Sequence, residues 1–355
     1  MSLRDHLIAR IASDGPLSVA DYMNECLLNP KYGYYTTRDP LGTTGDFITA
    51  PEISQMFGEL IGLSLAQSWL DQGSPSAFTL AELGPGRGTL MADLLRATKA
   101  VPGFHDAAQI ILIEASPTLQ AAQKQALSGY QAKWHDDLSA LSDQPLWLIA
   151  NEFFDALPIR QFLRDGQDWR EKRVGLQNGE LTFGLGPKTA QPALSHRLDD
   201  TQDGDLVEVC EAAIPIVAAI SNCIAQHGGA ALFVDYGDWR ALGDTLQALR
   251  SHKPTDALSD PGEADLTAHV DFEALAQAAK AAGCTHSRIT PQGVFLERLG
   301  ITARAQTLAT SLSGDGLDNL VAAHQRLTHP QEMGNLFKVL ALYPDQVTPP
   351  PGLNA

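Results

Sequence analysis

Residues 78–90 read FTLAELGPGRGTL. The apolar start of this stretch predicts a short buried strand, and Thr89 begins a segment in which apolar residues recur at helical spacing. Between them Gly84, Gly86 and Gly88 let the backbone turn sharply and pass close to a ligand. A strand, a glycine-rich turn and a helix in this order are typical of a nucleotide site in an α/β protein. A plain tight turn remains the alternative reading of the glycines alone.

Strands and helices alternate on the C-terminal side of this turn. Apolar runs at residues 109–114 and 146–150 predict strands buried on both faces, and residues 117–127 predict a helix. This alternation predicts an α/β fold with a mostly parallel, doubly wound sheet. Residues 160–185 alternate around Asn178-Gly179, which predicts an inserted antiparallel hairpin. A helix at residues 206–226 is expected to resume the α/β pattern.

The N-terminal part has a different pattern. Two amphipathic helices are expected before a loop rich in Gly and Pro at residues 29–50, which is long enough to be a lid, and one helix is expected at residues 52–70. The chain therefore divides into N-terminal helices with a lid loop (1–76), a core (77–345) with insertions near 157–205 and 237–330, and a loose tail (346–355).

Composition excludes several classes of protein. The 355 residues include 42 acidic and 25 basic side chains, a net charge of −17. This balance argues against a nucleic-acid-binding surface and against a face for anionic membranes. No continuous apolar segment resembles a secretory signal or spans a bilayer, so we expect a cytoplasmic protein without membrane insertion. The four cysteines lack C-x-x-C spacing, which argues against a zinc ribbon.

Two acids beside the glycine turn indicate which ligand it binds. Glu82 precedes the turn, where it would repel a pyrophosphate but suit the ammonium group of an amino acid. Glu114 ends the next strand, where it can accept hydrogen bonds from a ribose diol. The glycines are spaced G-x-G-x-G, around Pro85 and Arg87, whereas a dinucleotide site has G-x-G-x-x-G. These features fit S-adenosylmethionine better than NAD.

A polar cluster follows the third predicted strand. Asp136 lies there, at the edge of the sheet where ligands bind in doubly wound folds, and can accept a hydrogen bond from an adenine amino group. The alternative is that Asp136 or Asp137 caps the next helix.

The glycine stretch resembles the first motif of class I S-adenosylmethionine-dependent methyltransferases. Four further stretches, in this order, resemble the MidA family: GDFITAPEIS (45–54), NEFFDALP (151–158), DLTAHVDF (265–272) and MGNLF (333–337). The resemblance implies a Rossmann-like core, S-adenosylmethionine as cofactor, S-adenosylhomocysteine as product and no metal. Mitochondrial members of the family are assembly factors for respiratory complex I and are regarded as protein arginine methyltransferases that act on its 49 kDa-type subunit. The resemblance therefore implies arginine methylation of a protein substrate such as this subunit. The transfer of this target to the present chain is analogy.

The motif at 151–158 suggests how an arginine would be bound. It follows the strand 146–150, so Asn151 and Glu152 lie at a strand end beside the expected cofactor. Related amide and nucleobase methyltransferases carry two prolines where this chain has Glu152 and Phe153. A carboxylate suits the planar fork of donors on a guanidinium. We therefore expect Glu152 to clamp the substrate arginine, with Asp155 or Asp46 as a second acid.

Two of the candidate catalytic residues have structural alternatives. Asp155 is also suited to cap a turn or helix before Leu157. His269 is a candidate proton acceptor, and the alternative, which the sequence favours, is a structural histidine held by Thr267 or Asp271.

The loop before Pro51 carries further candidates. Asp46 and Thr49 are expected to close over the cofactor as part of a lid, unless Asp46 only shapes a turn. Phe47, Phe153 and Phe154 either wall the pocket or pack in the core.

Three other functions compete with arginine methylation. They are an S-adenosylmethionine-binding assembly chaperone without essential catalysis, a small-molecule methyltransferase and an NAD-dependent oxidoreductase, the last disfavoured by the glycine spacing. An exposed apolar face on the N-terminal helices would favour a homodimer.

Overall fold

The structure is a computed structural model that describes residues 2–37, 49–141, 143–250 and 253–355. Within these residues the α-helices are α1 (Leu3–Asp14), α2 (Val19–Leu28), α3 (Tyr34–Thr37), α4 (Ala50–Ile53), α5 (Gln55–Asp71), α6 (Thr89–Thr98), α7 (Phe104–Ala107), α8 (Pro117–Ala126), α9 (Ala213–His227), α10 (Phe272–Ala281), α11 (Gln292–Arg298), α12 (Ile301–Ala309), α13 (Asp315–Thr328) and α14 (Met333–Leu336). The 3-10 helices are Leu138–Ala140 and Pro192–Leu198.

The strands of the same residues are β1 (Leu17–Ser18), β2 (Phe78–Leu83), β3 (Ala108–Ile113), β4 (Ala132–His135), β5 (Leu146–Asn151), β6 (Arg160–Asp165), β7 (Asp168–Gln177), β8 (Glu180–Thr189), β9 (Leu206–Val209), β10 (Gly229–Asp238), β11 (Gln247–Arg250), β12 (Lys253–Thr255), β13 (Asp265–Thr267), β14 (Val270–Asp271), β15 (Thr285–His286), β16 (Thr290–Pro291) and β17 (Phe337–Tyr343). The chain forms two compact units. The first takes its described residues from the segments 1–47, 155–213 and 238–271, and the second from 48–154, 214–237 and 272–355.

The second unit contains the predicted α/β sheet. Its strands run in the order β15-β17-β10-β5-β2-β3-β4, and β10, β5, β2, β3 and β4 are parallel. The chain moves outward from β2 to β4 and then returns to β5 on the other side of β2. This reversal is the switch point of a doubly wound sheet, and ligands bind there at the carboxyl ends of the strands. The predicted fold class is confirmed.

The central strands are buried because their sequences are apolar on both faces. Every residue of β2 and β5 is buried, and these strands share one core with α5 and α6. The predicted helix at 52–70 is interrupted at Ser54, whose extended backbone ends α4 and whose hydroxyl caps α5 by accepting from Met56 N at 3.2 Å.

The predicted helix at 206–226 is wrong at its start. Residues 206–209 form β9, which pairs antiparallel with β6, and only Ala213–His227 is helical. The stretch Leu206–Val209 carries two β-branched valines, which favour a strand. Glu208 is buried in it, and its carboxylate accepts from Gln161 Nε2 at 2.6 Å and Thr245 N at 3.0 Å. These long-range partners could not be seen in the local sequence.

The first unit is built around an antiparallel sheet with the order β1-β7-β6-β9, and β8 also pairs with β7. The predicted hairpin is confirmed: Asn178 and Gly179 join β7 to β8 with φ of 56° and 83°. The apolar faces of α1 and α2 lie in the core of this unit. These apolar residues therefore do not form the exposed face that would favour a homodimer.

The C-terminal tail is anchored, contrary to the expectation of a loose segment. Leu353 is buried, the carbonyl of Pro351 accepts from Ser64 Oγ at 2.9 Å, and the carbonyl of Asn354 accepts from Arg288 N at 2.8 Å. Hydrogen bonds to backbone carbonyls and one apolar anchor hold this segment although it contains three consecutive prolines. Among the described residues, no helix has the length and apolar character needed to cross a membrane.

The stretch MGNLF has a structural reason for its glycine. A Cβ added at Gly334 would fall well inside van der Waals contact with the carbonyl of Thr328 and 2.7 Å from His329 O. We predict that Gly334→Ala lowers the free energy of unfolding by about 1–3 kcal/mol, since the backbone of α13 must move. Urea denaturation measures this loss. Gly316→Ala is the control, because its Cβ would meet only Leu312 Cδ2 at 3.5 Å; an equal loss in both variants would contradict the prediction.

Candidate active site

The glycine turn joins β2 to α6 in the second unit. Gly84, Gly86 and Gly88 have φ of 57°, 55° and 83°, which other residues adopt only with strain. A Cβ at Gly84 would lie 3.0 Å from Cδ2 of Phe153. Pro85 lies within the turn, and its carbonyl accepts from Gly88 N at 2.8 Å. The backbone angles therefore favour glycine at all three positions, and at Gly84 the close approach of an aromatic ring requires it as well.

Glu82 supplies a buried carboxyl at the end of β2. Its side chain is 3 % exposed, and Oε2 has no hydrogen-bond partner among the described residues. Burial is the main reason why the pKa of Glu82 is raised to about 8; the hydrogen bond from the Met91 amide opposes this rise, and the Glu114 carboxylate adds to it. A buried acceptor without a donor is costly, so this oxygen fits a ligand that donates hydrogen bonds, such as an ammonium group.

Glu114 lies at the carboxyl end of β3. Its carboxylate accepts from Ser116 N at 2.7 Å and from Gln123 Nε2 at 3.1 Å. Burial raises its pKa, while the hydrogen bonds from Ser116 and Gln123 lower it. Each carboxylate oxygen has two acceptor sites, so the group retains capacity for a ribose diol.

Gln123 is a site residue that sequence reasoning missed. Its side chain is fully buried; Nε2 donates to Gly86 O at 2.8 Å as well as to Glu114, and Oε1 accepts from Trp134 Nε1 at 2.8 Å. It thereby connects the glycine turn to Glu114. The only local signal was a polar residue on the buried face of α8.

Asp136 follows β4 and is exposed, with Gln120 Nε2 at 3.4 Å from its Oδ1. The helix-capping role falls to Asp137, whose Oδ1 accepts from Ser139 N at 2.8 Å. Of the two acids, Asp137 is therefore the one that caps the helix, and Asp136 does not have this role. A contact between Asp136 and adenine stays a prediction.

Asn151 and Glu152 lie at the carboxyl end of β5, next to β2. The Asn151 side chain is buried; its Nδ2 donates to Glu152 Oε1 at 3.0 Å, and its Oδ1 has no partner among the described residues. Glu152 Oε1 also accepts from Ala50 N at 2.9 Å. Burial raises the pKa of Glu152 to about 6, and the Ala50 and Asn151 hydrogen bonds and the Arg326 cation lower it.

The segment Thr49–Glu52 is tied to both motifs. Thr49 precedes α4 as its N-cap, with its carbonyl accepting from Glu52 N at 2.9 Å. Ala50 binds Glu152, and the Glu52 carboxylate accepts from the Thr89 hydroxyl at the start of α6. The helix α4 therefore connects the glycine turn to Glu152.

Asp46 and Phe47 lie outside the described residues.

The aromatic pair divides between core and site. Phe154 is buried against Phe233, with ring centroids 4.8 Å apart, so it is a core residue. Phe153 is half-buried, packs edge-to-face on Phe154 at 5.3 Å, and covers Gly84.

Asp155 and His269 belong to the first unit, where the structure brings their backbones together. Ala268 N donates to Asp155 O at 3.0 Å, and His269 N donates to Thr245 Oγ1 at 2.8 Å. The hydroxyl of Thr267 does not hold the histidine, because this buried Oγ1 has no hydrogen-bond partner in the described part of the chain. The roles of Asp155 and His269 as second acid and proton acceptor stay predictions.

Asp235 on β10 is a further residue that sequence reasoning missed. Its buried carboxylate accepts from Phe153 N at 3.2 Å and Phe154 N at 2.9 Å through Oδ2, and from Tyr236 N at 3.0 Å through Oδ1. The available signal was an acid at the end of an apolar strand.

Among the described residues, no group of three or more His, Cys, Asp or Glu side chains is placed to hold a metal ion.

Comparison with known proteins identifies relatives along nearly the whole chain. Mitochondrial protein arginine methyltransferase NDUFAF7 of Xenopus tropicalis is 37% identical over 381 residues, covering 99% of this chain and 88% of the relative. The human protein of the same name is 37% identical over 369 residues, covering 96% and 83%.

A solved structure extends the comparison to the fold. A COG1565 superfamily protein of Burkholderia thailandensis, crystallised with S-adenosyl-homocysteine, is 28% identical, with a TM-score of 0.83 over 99% of this chain and 92% of that chain. The pattern of the family described as "Putative S-adenosyl-L-methionine-dependent methyltransferase" matches residues 60–290. The glycine turn, the buried acids and these matches agree: the chain belongs to this family of S-adenosylmethionine-dependent methyltransferases.

Proposed function

We propose that this chain is a protein arginine N-methyltransferase. The observation that carries the proposal is the half-buried Glu152, whose carboxylate is held by hydrogen bonds beside the glycine turn at the sheet's switch point. A carboxylate there recognises the fork of N–H donors on a guanidinium. The names of the relatives support the same reaction class.

The cofactor site is proposed from the acceptors that lack partners. Glu82 Oε2 and Asn151 Oδ1 would bind the ammonium group, and Glu114 would bind the ribose hydroxyls. Asp136 would accept from the adenine amino group, and Thr49 would contribute from the segment before α4. When bound, S-adenosylmethionine supplies an electrophilic methyl group on its sulfonium.

Glu152 has two tasks in this proposal. It accepts hydrogen bonds from the guanidinium and thereby aims one nitrogen toward the glycine turn, which supplies much of the rate by orientation. It also accepts the proton that this nitrogen must lose. With a pKa of about 6 the carboxylate is ionised at neutral pH and more basic than an ordinary glutamate. Asp155 or Asp46 as a second acid, and His269 as another proton acceptor, remain part of the proposal.

We propose a protein of respiratory complex I as the substrate, with the 49 kDa-type subunit as the first candidate, and cytoplasm as the place of modification. The support for this substrate is the resemblance to mitochondrial complex I assembly factors. The net charge of −17 suits a cationic target segment, such as one bearing an arginine.

The test uses lysate from a strain that lacks this protein. Purified enzyme and methyl-labelled S-adenosylmethionine are added, with Glu152→Ala as the control. Label in one protein band, recovered as methylarginine, is the expected result, and the band identifies the substrate. Label in metabolites alone would indicate a small-molecule methyltransferase. S-adenosylhomocysteine binding with no labelled product would indicate an assembly chaperone, especially if Glu152→Ala restores assembly in the deletion strain.

Glu82 predicts a pH dependence of cofactor binding. In the protein without ligand, the Glu82 carboxyl is protonated below about pH 8. A bound ammonium group favours the ionised form of Glu82, so binding releases a proton. The association constant for S-adenosylhomocysteine should therefore rise with pH between about 6 and 8, by up to about tenfold per unit. Calorimetry in buffers of different ionisation enthalpy measures the released proton. Glu82→Gln should abolish it, and proton uptake in the wild type would contradict the assignment.

A further inference from the structure

Glu152 lies in a strained turn. Its φ is 51°, a left-handed conformation that costs a non-glycine residue about 1–2 kcal/mol. Among the described non-glycine residues only Ser74 and Asn178 share a positive φ, and both are exposed turn residues. Strain of this kind persists at functional sites only where the surroundings hold the residue in place.

The holding contacts come from the adjacent strand β10. In the parallel register Asn151 lies beside Val234, and Glu152 N donates to Val234 O at 2.9 Å. The next residue, Asp235, accepts from the amides of Phe153 and Phe154. Three successive N–H groups of the turn are therefore bound by two consecutive residues of one strand.

We infer that Asp235 is a positioning residue for methyl transfer: its carboxylate holds residues 152–154 in the turn that presents Glu152 to Ala50 N and Asn151 Nδ2. The inference rests on the role proposed above for Glu152. Asp235 is fully buried, and without its carboxylate the amides of Phe153, Phe154 and Tyr236 would lose their acceptors. The turn would then relax toward negative φ and displace the Glu152 carboxylate.

Kinetics provide the first part of the test. Asp235→Asn keeps an oxygen that can accept from two amides but turns an N–H toward a donor. We expect kcat for arginine methylation to fall by about 10–100-fold, because a displacement of about 1 Å misaligns the reacting groups. The dissociation constant of S-adenosylhomocysteine should change by less than about threefold. A parallel loss of S-adenosylhomocysteine binding would point to a general structural role and overturn the inference.

Stability provides the second part, through a double-mutant cycle with Glu152→Gly. Glycine adopts a positive φ without strain, so the turn no longer needs to be held. Asp235→Asn lowers the urea midpoint in the wild type. In the Glu152→Gly background this decrease should be at most half as large. An equal shift in both backgrounds would overturn the inference. If the single Asp235→Asn variant does not fold, the double variant should fold, and its failure would also contradict the inference.

The two proposals can fail separately. If Glu152→Gln retains full activity, the function proposed for Glu152 is wrong, while the stability cycle still reports whether Asp235 holds the turn. If Glu152→Gln is inactive and the cycle shows no coupling, only the positioning role of Asp235 is wrong.

Discussion

Replacing Glu152 with glutamine is expected to lower kcat for arginine methylation by roughly 10²–10³-fold. Glutamine keeps the size of the side chain and an oxygen that can accept from Ala50 N and Asn151 Nδ2. What it loses is the negative charge that binds the guanidinium and accepts its proton. In the wild type, activity should rise with pH through about 6 as the carboxylate ionises, and this limb should be absent from the residual activity of the variant.

Activity is measured as methyl transfer to the protein that the lysate experiment identifies as the substrate. Binding of S-adenosylhomocysteine is measured by calorimetry. Binding should change by less than about threefold, because the Gln side chain preserves the hydrogen bond from Asn151. Glu332→Gln, at an exposed glutamate of the same unit, is the matched control and should leave both quantities unchanged. Full activity in Glu152→Gln would remove the central residue of the proposed mechanism.

Replacing Gly84 with alanine is expected to weaken S-adenosylhomocysteine binding by at least about tenfold. The new Cβ would lie 3.0 Å from Phe153 Cδ2, and the residue would have to keep a φ of 57°. The conformational strain is about 1–2 kcal/mol, and displacement of the Phe153 ring adds to it. Calorimetric titration with S-adenosylhomocysteine measures the loss.

Two further variants separate these contributions. Gly73→Ala places a Cβ at a φ of 87° with no atom within 4 Å, so it reproduces the strain without the contact and lies away from the site. It should cost stability but leave binding unchanged. Phe153→Ala in the Gly84→Ala background removes the ring and should recover part of the affinity. If Gly84→Ala binds normally, the close approach at the glycine turn has no role in cofactor binding.

The parts of the fold that were predictable are those in which local sequence and packing agree. The apolar strands and the glycine turn of residues 78–90 satisfy local preference and burial together, so their pattern is informative. The strand Leu206–Val209 is different, because antiparallel pairing with β6 and the partners of Glu208 decide its structure. Those partners are distant in the chain and invisible to periodicity.

The candidate site shows the same division. Glu82, Glu114 and Asn151 could be proposed because each ends a recognisable strand, and parallel strands end at one edge. Gln123 and Asp235 could not, because their functions consist of hydrogen bonds to backbone groups of other segments. The strained φ of Glu152 is likewise a product of those contacts and has no signature in its own sequence.

The first unit has a consequence for synthesis of the chain. Leu7 and Tyr22 of the N-terminal helices share their core with Ile159, Val174 and Leu266. The ribosome must therefore add about 240 residues after α2 before that core can close, which takes roughly 10–50 s at 5–20 residues per second. During this interval the nascent helices expose apolar faces without their native partners. We expect truncation before residue 271 to yield an aggregating chain.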